Sequence, residues 1–379
     1  MTQLPSSSSI GQAADDRVKA VVEFGFTERQ ARFLVTVMLH SGVCLMRQYT
    51  AFAGVVHGQK TRKFFAKLVR RGFATPYPCR HNRGRVYHVH HKPLYRAIGQ
   101  TESSHRRPMA AARVVDSLVL LDAMLATPSV VWLALPEDKA VHLSSLTGVG
   151  PEEATRVTEA EGARKPARAI RDRMPIGIDP DGRWVLVYVV AGDQLEDFHW
   201  FVQRHAPLLA ALPAWTLRVV FASDLRWLAE RYNEAAQSEL DSLRPEVVTH
   251  IRWYFKKRRA RTLEHAPIDD QEGYDEAHYA FKATRFQVLY RRWLREGDTA
   301  FDAISSGAAG DAIKRGAGRV ACHVLPFSYR HLSPLVGSTR PQTKGAEEGD
   351  EAPTRSRPPI RSWTPAVDTT AEVRVEAQT

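Results

Sequence analysis

The sequence predicts a mixed α/β (α+β) chain built in two parts, and three observations predict it. Residues 1–107 carry 18 Lys/Arg against 5 Asp/Glu, a net charge of +13, whereas the remaining 272 residues hold 35 against 37 and sit near neutrality at −2. Three helix-forming stretches precede a basic hairpin within the first hundred residues. From about residue 110, strand-like and helical stretches alternate, the pattern of a sheet covered by helices.

A chain of 379 residues, 44% of them hydrophobic, is long enough for two domains with a sizeable core. Its formal net charge of +11 favours a polyanionic partner, either nucleic acid or an anionic membrane surface. Concentration of that charge in the first quarter favours nucleic acid. The three cysteines, Cys44, Cys79 and Cys322, are widely spaced and odd in number. No disulfide framework is expected, and a reducing, cytoplasmic location follows. Met1–Asp16 is Ser-rich without the basic-then-apolar order of a signal peptide, and the longest apolar run, around Val185–Ala191, is only strand-sized. No membrane partner is expected.

Along the chain, residues 1–19 read as a disordered lead and 20–100 as a basic module. Residues 101–109 read as a linker, 110–245 as an α/β domain, 246–335 as a basic-aromatic helical region and 336–379 as a disordered tail. Within the α/β domain a helix is expected over Ala110–Ala126, stopping before Pro128. Strands are expected at Pro175–Ile178, Trp184–Val190 and Leu217–Phe221, and helices at about Gln194–Ala211 and Asp224–Glu239.

In the basic module, Thr27 followed by Gln30 has the spacing of a capping box, and Phe33, Leu34, Val37 and Met38 recur at helical spacing. Ser41-Gly42 ends this helix, and Met46–Phe52 fits a second one, closed by Gly54. A third helix runs from Gln59 to Arg71 and stops at Gly72. Phe64, Phe65, Leu68 and Val69 share one side of it. Gln59, Lys63, Ala66 and Arg70 lie opposite, flanked by Lys60, Arg62 and Lys67. A narrow apolar face backed by cations suits a helix that docks on its neighbours and meets phosphates and base edges in the major groove. Phe73–Cys79 and Arg85–His91 then form a hairpin, with Arg80, His81, Asn82, Arg83 and Gly84 at its turn. Helix, helix, basic helix and basic hairpin in this order predict a winged helix-turn-helix that binds double-stranded DNA. The predicted contacts are Gln59, Lys60, Arg62, Lys63, Lys67, Arg70 and Arg71 on the helix, and Arg80, His81, Asn82, Arg83 and Arg85 on the wing.

The stretch from TERQARFLVTVMLHSG through RQYTAFAG to GQKTRKFFAKLVRRGFATPYPCRHNRGRVYHVHHKPLY resembles the winged-helix region of replication-relaxation-type proteins from bacterial plasmids and integrative elements. The resemblance covers about 75 residues. It implies a DNA-binding protein tied to plasmid replication or mobilisation, with a second domain of restriction-endonuclease type, here in degenerate form.

Metal-dependent nucleases need an Asp on one strand and a carboxylate-x-Lys on the next, to hold Mg²⁺ and orient water. Asp179 and Asp181 lie in an Asp-Pro-Asp-Gly turn, and the following strand, Trp184–Val190, offers neither acid nor Lys. A turn between strands is the expected role. His199 and His205 on the helix near 194–211 read as packed or half-exposed histidines rather than metal ligands. Trp215 reads as a core residue at the start of a strand.

Cys79, His81, His88, His90 and His91 on the hairpin have spacings a zinc site can use, but with one Cys, and with alternation turning His88 and His90 outward, phosphate contact or solvation is the expected role. Ile251–Arg261 interleaves aromatics with a basic cluster, which suits either nucleic-acid contact or an amphipathic helix packing Trp253 and Phe255. The Gly-rich stretch Gly307–Gly318 lacks the Lys-Ser/Thr ending of a phosphate loop and reads as a flexible loop. No nucleophile arrangement, cofactor or metal is implied. The expected function is non-catalytic binding of duplex DNA, as a regulator or a replication or mobilisation factor, with a homodimer as a natural way to lengthen the site. The alternatives are a metal-dependent nuclease delivered by the winged helix, and a winged helix that docks protein.

Overall fold

Caps and helix stops fix the first elements of the chain. The computed structural model of the protein describes residues 7–79, 84–135, 138–139, 142, 174–240, 243–263, 265, 267–301, 308–329 and 332, which fold as a mixture of helix and two β-sheets. The expected tail over 336–379 lies outside the described residues. Helix α1 (Ser7–Val22) replaces most of the disordered lead expected over 1–19. Its Val18 and Val21 are buried with Phe26 and the apolar face of the next helix, and that burial stabilises a segment whose Ser-rich opening favours disorder.

Helix α2 (Glu28–His40) starts with the expected capping box: the Thr27 hydroxyl accepts from the Gln30 amide, and the Gln30 side chain accepts from the Thr27 amide. Phe33, Leu34, Val37 and Met38 are all buried. After β1 (Val43–Cys44), α3 (Met46–Ala53) ends at Gly54 with φ 60°, and α4 (Gln59–Arg70) is stopped by Gly72 with φ +68°. Strands β2 (Ala74–Pro78) and β3 (Arg85–Val89) pair from Ala74↔Val89 to Pro78↔Arg85, and β1 adds to the other edge of β3. The result is a three-stranded antiparallel sheet in the order β1-β3-β2. Helix α5 (Lys92–Ala97) follows, with the Tyr95 hydroxyl donating to the Val89 carbonyl. An aromatic core ties helices to sheet: Tyr49 and Phe64 rings lie 4.5 Å apart, and Phe65 and Tyr87 4.4 Å.

The segment expected as a linker over 101–109 is packed rather than free. Its 3-10 turn, Ser104–Arg106, brings the His105 carbonyl against Gly42 and the ring of His88.

The second sheet is larger and mixed, with order β4-β5-β6-β7-β8. Helix α6 (Ala111–Leu125) leads to β4 (Val131–Leu133), β5 (Ile176–Ile178) and β6 (Trp184–Val189), with β5 antiparallel to both its neighbours. Helix α7 (Glu196–Ala211) then crosses to β7 (Trp215–Phe221), parallel to β6, and helix α8 (Ala229–Leu240) follows. The strand alternation divides the core. Val185, Val187 and Val220 pack with α6 on one face, whereas Trp184, Leu186, Leu217 and Val219 pack with α7 and α8 on the other. Trp215 is fully buried, as expected.

Two boundaries differ from expectation. The sheet does not end near 245: its last strand, β8 (Gly318–Val324), pairs in parallel with β7 from within the region set apart as 246–335. The stretch Gly307–Gly318, expected as a flexible loop, supplies helix α12 (Ala308–Lys314) and the first residue of β8. Gly318 is required there because a Cβ would fall 2.5 Å from the Trp215 indole. Among the described residues, three α-helices lie between α8 and α12, namely α9 (Pro245–Leu263), α10 (Gln271–Ala280) and α11 (Thr284–Glu296), and their core centres on Tyr254, Phe255 and Trp293. A buried polar cluster fastens them to the sheet layer. His199 on α7 meets Glu239 on α8 at 2.6 Å, Gln203 donates to the same carboxylate at 3.1 Å, and Arg285 on α11 approaches it at 3.9 Å. No helix among the described residues is long and apolar enough to cross a membrane.

Candidate nucleic-acid interface

Helix α4 is the most polarised helix among the described residues. Thr61, Phe64, Phe65 and Leu68 are buried against α2, α3 and β3, while Gln59, Lys60, Arg62, Lys63 and Arg70 are exposed on the other side. None of the cations in that exposed set has a carboxylate partner among the described residues, so the helix presents uncompensated charge to solvent. Val69, expected inward, is 37% exposed and lies at the margin of this face.

Two predicted contacts have another task. The Lys67 ammonium donates to the Gly25 carbonyl and lies 4.7 Å from the Phe26 ring centroid. Arg71 donates from Nη1 to the Phe24 carbonyl at 2.8 Å and covers the Phe73 ring. Both side chains brace the loop between α1 and α2 against the end of α4. Partial desolvation, with Arg71 and Arg70 beside it, holds Lys67 below the usual lysine range.

On the hairpin, Arg85 opens β3 and is exposed. Arg80, His81, Asn82 and Arg83 lie outside the described residues. His88 is not on an outer face: it is 4% exposed and donates from Nε2 to the His105 carbonyl at 2.8 Å. Burial keeps its pKa below the usual range. His90 is half-buried and hydrogen-bonded to Thr75 at 2.8 Å. The 3-10 turn after α5 covers the sheet face that simple alternation assigns to solvent. Cys79 is buried, and among the described residues no group of three or more His, Cys, Asp or Glu converges as a metal site.

Sequence reasoning missed two cations. Arg29 and Arg32 project from the first turns of α2 into the groove beside α4. Nothing local in the sequence indicates that α4 lies alongside them.

In the second part of the chain, Asp179 closes the β5–β6 turn. Its Oδ1 accepts from the amides of Asp181, at 3.1 Å, and Arg183, at 2.8 Å. Asp181 is exposed, and β6, with the sequence WVLVYV, carries no acid and no Lys. In the basic-aromatic segment, Tyr254 and Phe255 are buried and Arg258 lies over the Tyr290 ring at 4.3 Å, so most of its aromatic surface is spent on packing. His205 is buried beside Phe201. No family model, no curated protein and no solved structure matches the chain.

Proposed function

We propose that the chain binds double-stranded DNA through α4 and the β2–β3 hairpin. One observation carries this reading: α4 buries Phe64, Phe65 and Leu68 in an aromatic core and holds Lys60, Arg62, Lys63 and Arg70 outward without carboxylate partners. The element order α2, β1, α3, α4, β2, β3 fits a winged helix-turn-helix, in which α4 enters the major groove and the hairpin lies on the neighbouring backbone or minor groove. Gln59 at the start of α4 is placed for base-edge readout, and the Lys and Arg residues for phosphates and guanines. The resemblance to replication-relaxation-type proteins supports a regulator, or a replication or mobilisation factor, of a bacterial mobile element acting in the cytoplasm.

The order α6, β4, β5, β6, α7, β7 fits the nuclease-type core that the resemblance implies. With Asp179 committed to a turn and β6 lacking a carboxylate-x-Lys, the reading for this domain is a non-catalytic scaffold for self-association or partner contact. Mg²⁺-dependent cleavage of plasmid DNA that disappears in Asp179→Ala would overturn it.

The test of the central reading is binding of the purified chain to duplex DNA across a salt series, alongside Lys63→Ala/Arg70→Ala. Phosphate contact by both residues flattens the slope of log affinity against log salt by about 1.8, since each neutralised phosphate adds about 0.9. Absence of binding at low salt would move the module to protein docking.

A further inference from the structure

The exposed face of α4 is only part of the basic surface. Between the N-terminal half of α2 and α4 runs an open groove of about 920 Å³. Tyr49 and Phe64 lie beneath it and are buried. Arg29 and Arg32 project from the α2 wall, and Lys60, Lys63 and Lys67 from the α4 wall. Five cations therefore share the groove with one carboxylate, Glu28.

Their partners differ. Arg29 is held in place by donating to the Ala53 carbonyl at 3.0 Å. Arg32 is bound to Glu28 at 2.8 Å and to Asp15 of α1 at 3.0 Å. Lys60 and Lys63 have no partner among the described residues. Cationic walls on both sides of an open groove match the phosphates of a sugar–phosphate strand, which the ammonium and guanidinium groups can meet from either side.

We infer that this groove seats one phosphodiester strand of the DNA bordering the major groove that α4 enters. The inference rests on the DNA-binding reading and extends it to α2. Arg29 and Lys60 become backbone contacts. Glu28 and Asp15 become antagonists, because both occupy Arg32.

The test uses the full chain and a short fluorescein-labelled duplex of random sequence, with affinity read by anisotropy across a KCl series. Lys60→Ala flattens the slope of log affinity against log salt by about 0.9. Asp15→Asn/Glu28→Gln, which removes both carboxylates that hold Arg32, does the reverse: it tightens binding severalfold at low salt and steepens the slope by about 0.9 as Arg32 is released to phosphate. That gain disappears when Arg32→Ala is added. A gain that survives Arg32→Ala overturns the assignment, because general charge repulsion then accounts for it. If Lys63→Ala/Arg70→Ala weakens binding while Lys60→Ala and Asp15→Asn/Glu28→Gln leave the slope unchanged, the groove is not a strand seat and the α4 reading stands. If the unmodified chain does not bind the duplex at low salt, both fall together. Thermal melting of each variant separates lost folding from lost contact.

Discussion

Arg47 on α3 and Asp122 on α6 are joined by two parallel hydrogen bonds of 2.8 Å, Nη1 to Oδ1 and Nη2 to Oδ2. Asp122 is buried, and its Oδ2 also accepts from the Tyr329 hydroxyl beyond β8. The Arg47 guanidinium lies 3.8 Å above the Phe327 ring, and the neighbouring Gln48 donates to the Leu118 carbonyl at 2.9 Å. These bonds fasten the helical module to the layer covering the sheet through charged groups held away from water. Removing one member of a buried pair strands the other. Asp122→Ala is expected to destabilise the chain by about 3 kcal/mol, at the lower end for such pairs because Arg47 keeps some access to water. Asp122→Asn, which keeps the shape, costs less. Urea unfolding distinguishes them; an Asp122→Ala midpoint equal to that of the unmodified chain would show that the pair contributes no coupling.

Gly42 tests whether the 101–109 segment is truly packed. Its φ is +69°, and an added Cβ would stand 2.6 Å from the His105 carbonyl oxygen and 2.8 Å from the His105 Cβ. Gly42→Ala therefore meets a backbone that cannot yield cheaply. The left-handed conformation alone costs about 1–2 kcal/mol, and the clash adds to it. At Gly54, with φ +60° and open space around it, the same substitution carries only the conformational cost. A larger loss of stability at Gly42 than at Gly54 is the expected result, and equal losses would mean that the turn moves aside.

Local signals in the sequence locate much of this fold. The Thr27–Gln30 box, the stops at Gly54 and Gly72 and the apolar run of Trp184–Val189 each act within a few residues, so they are legible without knowing what packs against them. The failures share a cause in distance. β8 joins β7 only after helices α8 to α12, and nothing within GRVACHV announces that pairing. Helix α1 hides behind a Ser-rich opening and is stabilised by α2. His88 follows the strand alternation, yet its outer face is covered by a turn 17 residues away. The cationic face of α4 was legible, but the division of labour on it was not, because Lys67 and Arg71 find carbonyls 42 and 47 residues upstream.

That division predicts a crossed pair of effects. Arg71→Ala removes the bond to the Phe24 carbonyl and the cover over Phe73, so it lowers stability by about 1 kcal/mol, the net worth of one such bond. Because the guanidinium is already committed, the salt slope of DNA binding stays the same. Lys63→Ala behaves oppositely, leaving the denaturation midpoint in place and flattening the slope by about 0.9. Measuring both quantities on both variants decides it. A flatter slope in Arg71→Ala would place that residue on phosphate after all.

His205 contributes to the loss of stability in acid. The ring is buried on α7, its Nε2 has no hydrogen-bond partner among the described residues, and burial, with Arg204 beside it, pushes its pKa down to about 4. Above pH 6.5 the ring is neutral in the folded and unfolded chains alike, and its contribution to stability is full and constant. Between pH 6.5 and about 4 the unfolded chain takes up a proton that the folded one refuses, so stability falls by up to about 1.4 kcal/mol per pH unit. Below pH 4 both forms are protonated and the loss levels off. His205→Leu keeps the site apolar and removes this titration. His40, His88 and His90 also titrate below the usual range and remain in the variant, so the informative quantity is the difference between the two chains. Urea midpoints from pH 7 to pH 4 should diverge in favour of His205→Leu as the pH drops. Parallel curves would mean that the ring finds a partner or water at its buried nitrogen, which would keep its pKa near the ordinary value.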